Sequence, residues 1–279
     1  MNLWQKKQQI MNNKISILGC GWLGLPLAEK FIKNSFEVKG STTSESKLAL
    51  LADKNIQSFL IALFEDKIEG NIEGFLAETD VLIIDIPPKL RGLNTENFVA
   101  KIKTLVIVIE KFAIKKVLFV SSTSVYADTF PIVELNEDSI PNPDSEGGKQ
   151  LLEVEQLLQS NKNFETTILR FGGLIGEDRH PIKFLAGREN VENPEAPINF
   201  IHQKDCIGII ENILSQNCWG ETFNAAAPNH PERRDYYHKK ALEMNLKVPT
   251  FVKDSKSKGK IISSQKLQRI LNYTFQKEI

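Results

Sequence analysis

The chain has 279 residues, with 35 basic against 35 acidic side chains and a formal net charge of zero. Apolar residues at 41% and charged residues at 25% lie near globular averages, which excludes disordered, collagen-like and coiled-coil chains. Balanced charge gives no broad footing for nucleic acid, whose binding depends on many clustered cations, so any anion must be held locally.

Cys20, Cys206 and Cys218 make no disulfide framework and no CxxC pair, and the four histidines show no metal-ligand spacing. A cytoplasmic setting without a metal site is expected. No apolar run approaches the ~20 residues of a membrane span, so no membrane contact is expected.

Residues 1–11 are polar and read as a frayed extension, with Met11 as an alternative start. Lys14 followed by Ile15–Cys20 imitates a short secretory leader ending in a lipoprotein-like cysteine. Cleavage there would remove half of the first core strand and the glycines behind it, so the segment is read as part of the fold. Ile15–Leu18 is a short apolar strand. Leu23, Leu25, Leu27, Ala28, Phe31 and Ile32 then recur at helical spacing. Strands follow at Phe36–Gly40 and Ile56–Leu63, with a helical Leu/Ala segment at Lys47–Asp53 between them. The apolar run Asp80–Asp85 stops at Pro87-Pro88. An amphipathic helix is predicted over Asn97–Lys111, a buried strand over Lys116–Val120, a helix over Glu146–Leu158 and a strand over Thr166–Arg170.

Strands rich in β-branched residues alternating with helices predict an α/β protein built on a Rossmann-type, doubly wound parallel sheet. The strands lack face alternation, as expected when both faces are covered. After Phe171 the pattern breaks into Gly-, Pro- and His-containing stretches, with one more strand near Gly220–Asn224. The expected organisation is a dinucleotide-binding core over 12–170. A smaller interleaved C-terminal α/β substrate lobe spans 171–279, with a strand near 221–225 returning to the core.

Gly19-Cys-Gly-Trp-Leu-Gly24 lies between a predicted strand and a predicted helix, the context in which GxGxxG carries meaning. Gly19 suits the tight turn, Gly21 close approach to a pyrophosphate, and Gly24 close helix–strand packing. The helix N-terminus adds N–H groups and partial positive charge. About 20 residues on, where a carboxylate would grip the adenosine ribose of NAD, stands Gly40-Ser-Thr-Thr-Ser44, with no acid before Glu45. A 2′-phosphate is tolerated there, with hydroxyls and Lys47 at hand, so the expected cofactor is NADP, with NAD as the alternative. The candidate cofactor residues are Gly19, Gly21, Trp22, Leu23, Gly24, Ser41, Thr42, Thr43, Ile86, Pro87, Ser121 and Lys149. Pro87 and Pro88 are read as a wall on the adenosine side.

Gly19–Gly24 together with Val120-Ser-Ser-Thr-Ser-Val-Tyr-Ala127, Leu169-Arg-Phe-Gly-Gly-Leu-Ile-Gly176, Asn199-Phe-Ile-His-Gln-Lys-Asp205 and Phe223-Asn224 resembles the extended and atypical short-chain dehydrogenases/reductases. Asp85-Ile-Pro-Pro88, and Gly259-Lys260 followed by Lys266-Leu267, resemble its atypical YeeZ-like group, which is similar to NAD-dependent epimerases/dehydratases. The resemblance implies hydride transfer on a carbonyl or hydroxyl of a small molecule, such as a nucleotide sugar or an aldehyde. It also implies a Ser/Thr–Tyr–Lys catalytic set. Ser122 matches the serine that hydrogen bonds the substrate carbonyl, and Lys149 the lysine that holds the nicotinamide ribose. The family's YxxxK spacing is here Ser145-Glu-Gly-Gly-Lys149, with serine at the tyrosine position. A phenol titrates near 10 and a neighbouring ammonium can pull it lower. A serine hydroxyl is a far weaker acid, so Ser145 could donate a hydrogen bond or order a water.

Tyr126 is read as a packing or cofactor-wall residue, His202 and Asp205 as structural, and Arg179 as a surface arginine. Two readings of function stay open. One is an NAD(P)-dependent oxidoreductase or epimerase-like enzyme without the usual tyrosine. The other is a catalytically silent NADP-binding sensor or scaffold, which loss of the tyrosine would permit. The expected partner is a small-molecule substrate, and a homodimer is left open.

Overall fold

The computed structural model describes residues 14–88, 96–253 and 256–279. The expected N-terminal extension and the start at Met11 lie outside the described residues. In chain order the first half gives β1 (Lys14–Leu18), α1 (Gly24–Lys33), β2 (Glu37–Thr42), a 3-10 turn at Glu45–Lys47, α2 (Leu48–Asp53), β3 (Gln57–Leu63) and β4 (Ile68–Gly70). It continues with α3 (Ile72–Leu76), β5 (Val81–Ile84), α4 (Phe98–Lys111) and β6 (Lys116–Ser122). A 3-10 turn at Thr123–Val125 leads to β7 (Val133–Leu135), α5 (Glu146–Gln159), β8 (Glu165–Phe171), β9 (Gly173–Ile175) and α6 (Ile182–Leu185). Then come β10 (Phe200–His202), α7 (Gln203–Ser215), β11 (Thr222–Ala225), α8 (Arg233–Glu243), β12 (Lys260–Ile262) and α9 (Gln265–Leu271).

Among the described residues, eight strands form one sheet in the order β11-β8-β6-β5-β1-β2-β3-β4. The pairings from β3 through β2, β1 and β5 to β6 are parallel, and β4 closes the edge antiparallel to β3. The chain is thus the α/β, doubly wound architecture its alternating pattern predicts. Val81-Leu-Ile-Ile84 is buried along its whole length, as a strand covered on both faces must be. Helix α1 turns Leu27, Ala28 and Phe31 inward, and α4 turns Ile102, Leu105 and Ile109 inward. Each of the fully buried Leu, Ile and Phe side chains contributes roughly 1.5–3 kcal/mol, and the Ala28 methyl less. Asn97 starts α4 by accepting the Ala100 N–H at 3.0 Å.

The chain leaves β1 toward β2 and β3, then returns to place β5 and β6 on the other side. This is the switch point at which open α/β sheets bind ligands. The register pairs Leu18 with Ile84, so Gly19 and Asp85 leave the strand ends side by side.

The described chain divides into two compact units. The first comprises residues up to Val120, Glu153–Ile168 and Trp219–Glu221, and the second comprises Ser121–Leu152, Leu169–Cys218 and Thr222–Ile279. Residues 121–152 therefore go with the second unit, whereas the sequence pattern draws that boundary at 170. Within the second unit, β7 pairs with β12 and β9 with β10, both in parallel. His180, Phe200, Tyr236 and Tyr237 form an aromatic cluster there. Asp205, fully buried at the start of α7, accepts from Tyr273 Oη at 2.9 Å and from the backbone of Gln276 at 2.7 Å and Lys277 at 3.2 Å.

Candidate functional site

The loop after β1 is built by backbone geometry. Gly19 has φ 107°, a left-handed conformation, and a Cβ there would fall 2.3 Å from the Asp85 carbonyl oxygen. A Cβ on Gly24 would fall 2.2 Å from the Gly19 carbonyl oxygen, so the first turn of α1 closes directly onto the loop. Gly21 differs, since a Cβ there would meet nothing within 4 Å. The loop is a cradle, tight at its two ends and open at its middle.

Ser41 at the end of β2 fastens this cradle. Its Oγ accepts the Gly19 N–H at 3.0 Å and its carbonyl accepts the Cys20 N–H at 2.7 Å. Thr42 Oγ1 accepts the Ser44 N–H at 3.1 Å and so fixes the following turn. Each hydroxyl keeps its own hydrogen to donate.

A cavity in the first unit is bounded by this loop. Of the residues singled out from the sequence, Gly19, Gly21, Ser41, Thr42, Thr43, Ile86, Pro87, Pro88 and Lys47 line it. Trp22, Leu23 and Gly24 do not; they enter α1, where the Leu23 side chain turns into the core. Ser121 is buried in β6, and Lys149 lies in the second unit, exposed on α5. The cavity also takes in Cys20, Ile61, Leu63, Asp85, Phe98 and Lys101, which sequence reasoning did not assign to it. Burial pushes the Asp85 carboxyl up to about 7, against the pull of the Gly24 N–H that donates to it. Burial, and then the charge of Asp85, push the Cys20 thiol up to about 12, so it stays neutral.

Ser122, Ser145 and Lys149 belong to the second unit. Ser122 Oγ accepts the Ser124 N–H at 3.1 Å and caps the 3-10 turn. Ser145 Oγ accepts the Gly148 N–H at 3.2 Å, and its carbonyl accepts the Lys149 N–H at 3.0 Å, which makes it the N-terminal cap of α5. Gly148 holds these two segments together. A Cβ there would fall 2.3 Å from the Ser124 carbonyl oxygen, and Asn142 adds hydrogen bonds to Val125 and Ala127. The sequence-selected serines and lysine are thus gathered at one turn and one helix start.

Tyr126 turns inward from the same turn. Its hydroxyl accepts from Arg170 Nη1 at 2.6 Å and donates to the Asn136 carbonyl at 3.0 Å. Burial, the largest influence, raises its pKa. The phenol is a packing group. His202 accepts the Lys204 N–H and caps α7, and Arg179 is an exposed member of the turn closed with Gly176. Among the described residues, no His/Cys/Asp/Glu group could hold a metal ion, and no helix is long and apolar enough to cross a membrane.

No protein-family model matches the chain. Over 265 residues, 94% of this chain and 96% of the relative, it is 32% identical to protein YeeZ of Escherichia coli K12. Among solved structures, MoeE5 in complex with UDP-glucuronic acid and NAD superposes with a TM-score of 0.76 at 16% identity, covering 95% of this chain and 94% of that one. A short-chain dehydrogenase/reductase superfamily protein from Agrobacterium tumefaciens with bound NAD gives a TM-score of 0.73 at 16% identity, covering 95% and 93%. At these identities the likeness is one of fold.

Proposed function

The chain belongs to the YeeZ family and has the fold of the short-chain dehydrogenases/reductases, and on that premise we propose that it is an NAD(P)-dependent oxidoreductase or epimerase-like enzyme. Its substrate is a small molecule bearing a carbonyl or hydroxyl, of the nucleotide-sugar or aldehyde class. The observation that carries this reading is the glycine cradle at the sheet's switch point, where Gly21 leaves open the space a pyrophosphate needs.

The residues present fit a dinucleotide. The loop Gly19–Gly24 and the N-terminus of α1 suit its diphosphate, and Pro87, Pro88, Phe98 and the end of β3 suit its adenosine. Ser41, Thr42, Thr43 and Lys47 stand at the end of β2 with no carboxylate among them, which favours NADP over NAD. When bound, the cofactor supplies the hydride donor or acceptor. Ser122 polarises a carbonyl oxygen with its hydroxyl hydrogen, and Lys149 provides an ammonium for ribose hydroxyls. Ser145, in the tyrosine's place, is limited to donating a hydrogen bond or ordering a water.

The role of Ser145 as a helix cap also favours a second reading, a silent NADP-binding sensor in which the serine serves structure alone. Trp22, inside the loop, reports on both. NADPH is expected to quench its fluorescence and to raise the melting temperature more than NADH does. No response to either at millimolar concentration overturns the cofactor reading. With a panel of carbonyl compounds, NADPH oxidation that is lost in Ser122→Ala and Lys149→Ala supports the enzyme. Tight binding without turnover supports the sensor.

A further inference from the structure

Resting on the dinucleotide reading of the first unit's cavity, we propose that Asp85 sets the affinity of that cavity for a dinucleotide, because the pyrophosphate binds together with one proton taken up by the Asp85 carboxylate. The geometry behind this is a helix N-terminus that already holds an anion of the chain's own. Helix α1 starts at Leu23 with no side-chain cap and has no acid in its first turn. The Gly24 N–H instead donates to the carboxylate of Asp85, 61 positions further along the chain. The register of β1 with β5 puts that side chain there, and the Asp85 N–H fixes its backbone to the Leu18 carbonyl at 2.9 Å. Asp85 Oδ2 lies 3.2 Å from where a Gly24 Cβ would stand, directly against the loop.

A phosphate drawn to this loop by the helix terminus therefore meets a carboxylate in the same cavity wall. Like charges sharing a poorly hydrated site favour protonation of one of them. The proton comes from solvent and stays on Asp85, which in neutral form can donate a hydrogen bond to a phosphate oxygen, and no covalent bond changes. The charged and titratable groups facing Asp85 do not replace it in this role. From the loop, Cys20 stays a neutral thiol. From the turn after β2, Lys47 stands on the cavity lining, and from α4, Lys101 is ion-paired with Glu96. The free carboxyl, raised to about 7 by burial, is half ionised near neutral pH, so the coupling falls in an accessible range.

The sign follows directly. Below its pKa, Asp85 is neutral and the pyrophosphate enters unopposed; above it, each binding event must recruit a proton, so affinity falls as pH rises. If the bound state keeps Asp85 protonated throughout, affinity drops about tenfold between pH 6 and pH 8. NADH is the probe, because the 2′-phosphate of NADPH would itself titrate near pH 6. Calorimetric titration of the full chain with NADH at pH 6 and pH 8, in two buffers of different ionisation enthalpy, counts the protons directly. The expected result is uptake approaching one proton at pH 8 and the roughly tenfold weakening. In Asp85→Asn, whose amide oxygen can still accept from Gly24, both are expected to vanish. Should that variant fail to fold, the wild-type proton count decides alone. Wild-type binding with equal affinity at both pH values and no net proton overturns the proposal and leaves the dinucleotide reading standing. Absence of binding by both NADH and NADPH at pH 6 overturns that reading and the proposal with it.

Discussion

Tyr273 donates its phenol hydrogen to Asp205 at 2.9 Å across 68 residues of chain, which ties the C-terminal segment to the start of α7. Asp205 also receives two backbone N–H groups from Gln276 and Lys277, so one buried carboxylate satisfies three donors. Hydrogen bonds to a charged group contribute about 1.5–3 kcal/mol, and their loss leaves buried donors unpaired. Asp205→Ala is expected to lower unfolding free energy by about 3 kcal/mol in urea titrations, and Asp205→Asn by less. Equal stability of Asp205→Ala and wild type would show that the C-terminal segment is held by packing instead.

Two adjacent glycines make opposite predictions. At Gly148 an added methyl meets the Ser124 carbonyl, whereas at Gly147 it meets open space. Gly148→Ala is expected to cost about 1–3 kcal/mol by overpacking and to disturb the turn that carries Ser122. Gly147→Ala should gain up to about 1 kcal/mol from better helix propensity. Thermal melts of the two variants side by side check the contrast.

Ser145 caps α5, and a cap is worth about 1 kcal/mol. Ser145→Ala is expected to lose that amount, and Ser145→Asp, another good cap, to restore it. Turnover of any carbonyl substrate should follow stability in this pair if the hydroxyl serves only the helix. A loss of turnover in both, with stability restored in the aspartate variant, would assign the hydroxyl to the chemistry.

His180 gives a pH signature. Its Nδ1 accepts the Ile182 N–H at 3.1 Å, so Nε2 carries the hydrogen toward Tyr236 Oη at 2.7 Å. Burial, followed by the nearby Lys240 and Lys183, lowers its pKa to about 4. The unfolded chain, titrating near 6.5, therefore binds a proton first. The histidine's contribution is complete above pH 6.5 and is lost as pH falls toward 4, amounting to ~2 kcal/mol after allowance for its partial exposure. His180→Gln should flatten the difference in unfolding free energy between pH 7 and pH 5.

The sheet was legible because its strands are apolar runs of core length, and Val81–Ile84 could hardly be anything else. The glycine loop was legible because three glycines at fixed spacing follow a strand. Asp85 was not, since a carboxylate closing an apolar run looks like the start of a turn. Only the pairing of β1 with β5 makes it a partner of Gly24. The short strands β7, β9, β10 and β12 escape for another reason. Three residues are too few to show a period, and their partners lie far away in sequence, as with Val133 and Lys260. The cap at Ser145 was hidden by the family register, which drew attention to the tyrosine that is absent rather than to the N–H three residues on.

The three-residue strand β4 has a consequence for behaviour at high concentration. Gly70, with φ 97°, leaves no room for a Cβ beside the Leu60 carbonyl, and Lys67 pairs with Glu69 at 2.6 Å on the exposed rim. A sheet ending in a long, flat strand would offer a template to the next molecule. Here a second copy would find a brief, reversed, charge-bearing border with little ladder to extend. Intermolecular strand growth, the first step toward fibres, has little to build on along Ile61–Leu63, the part of β3 that β4 covers.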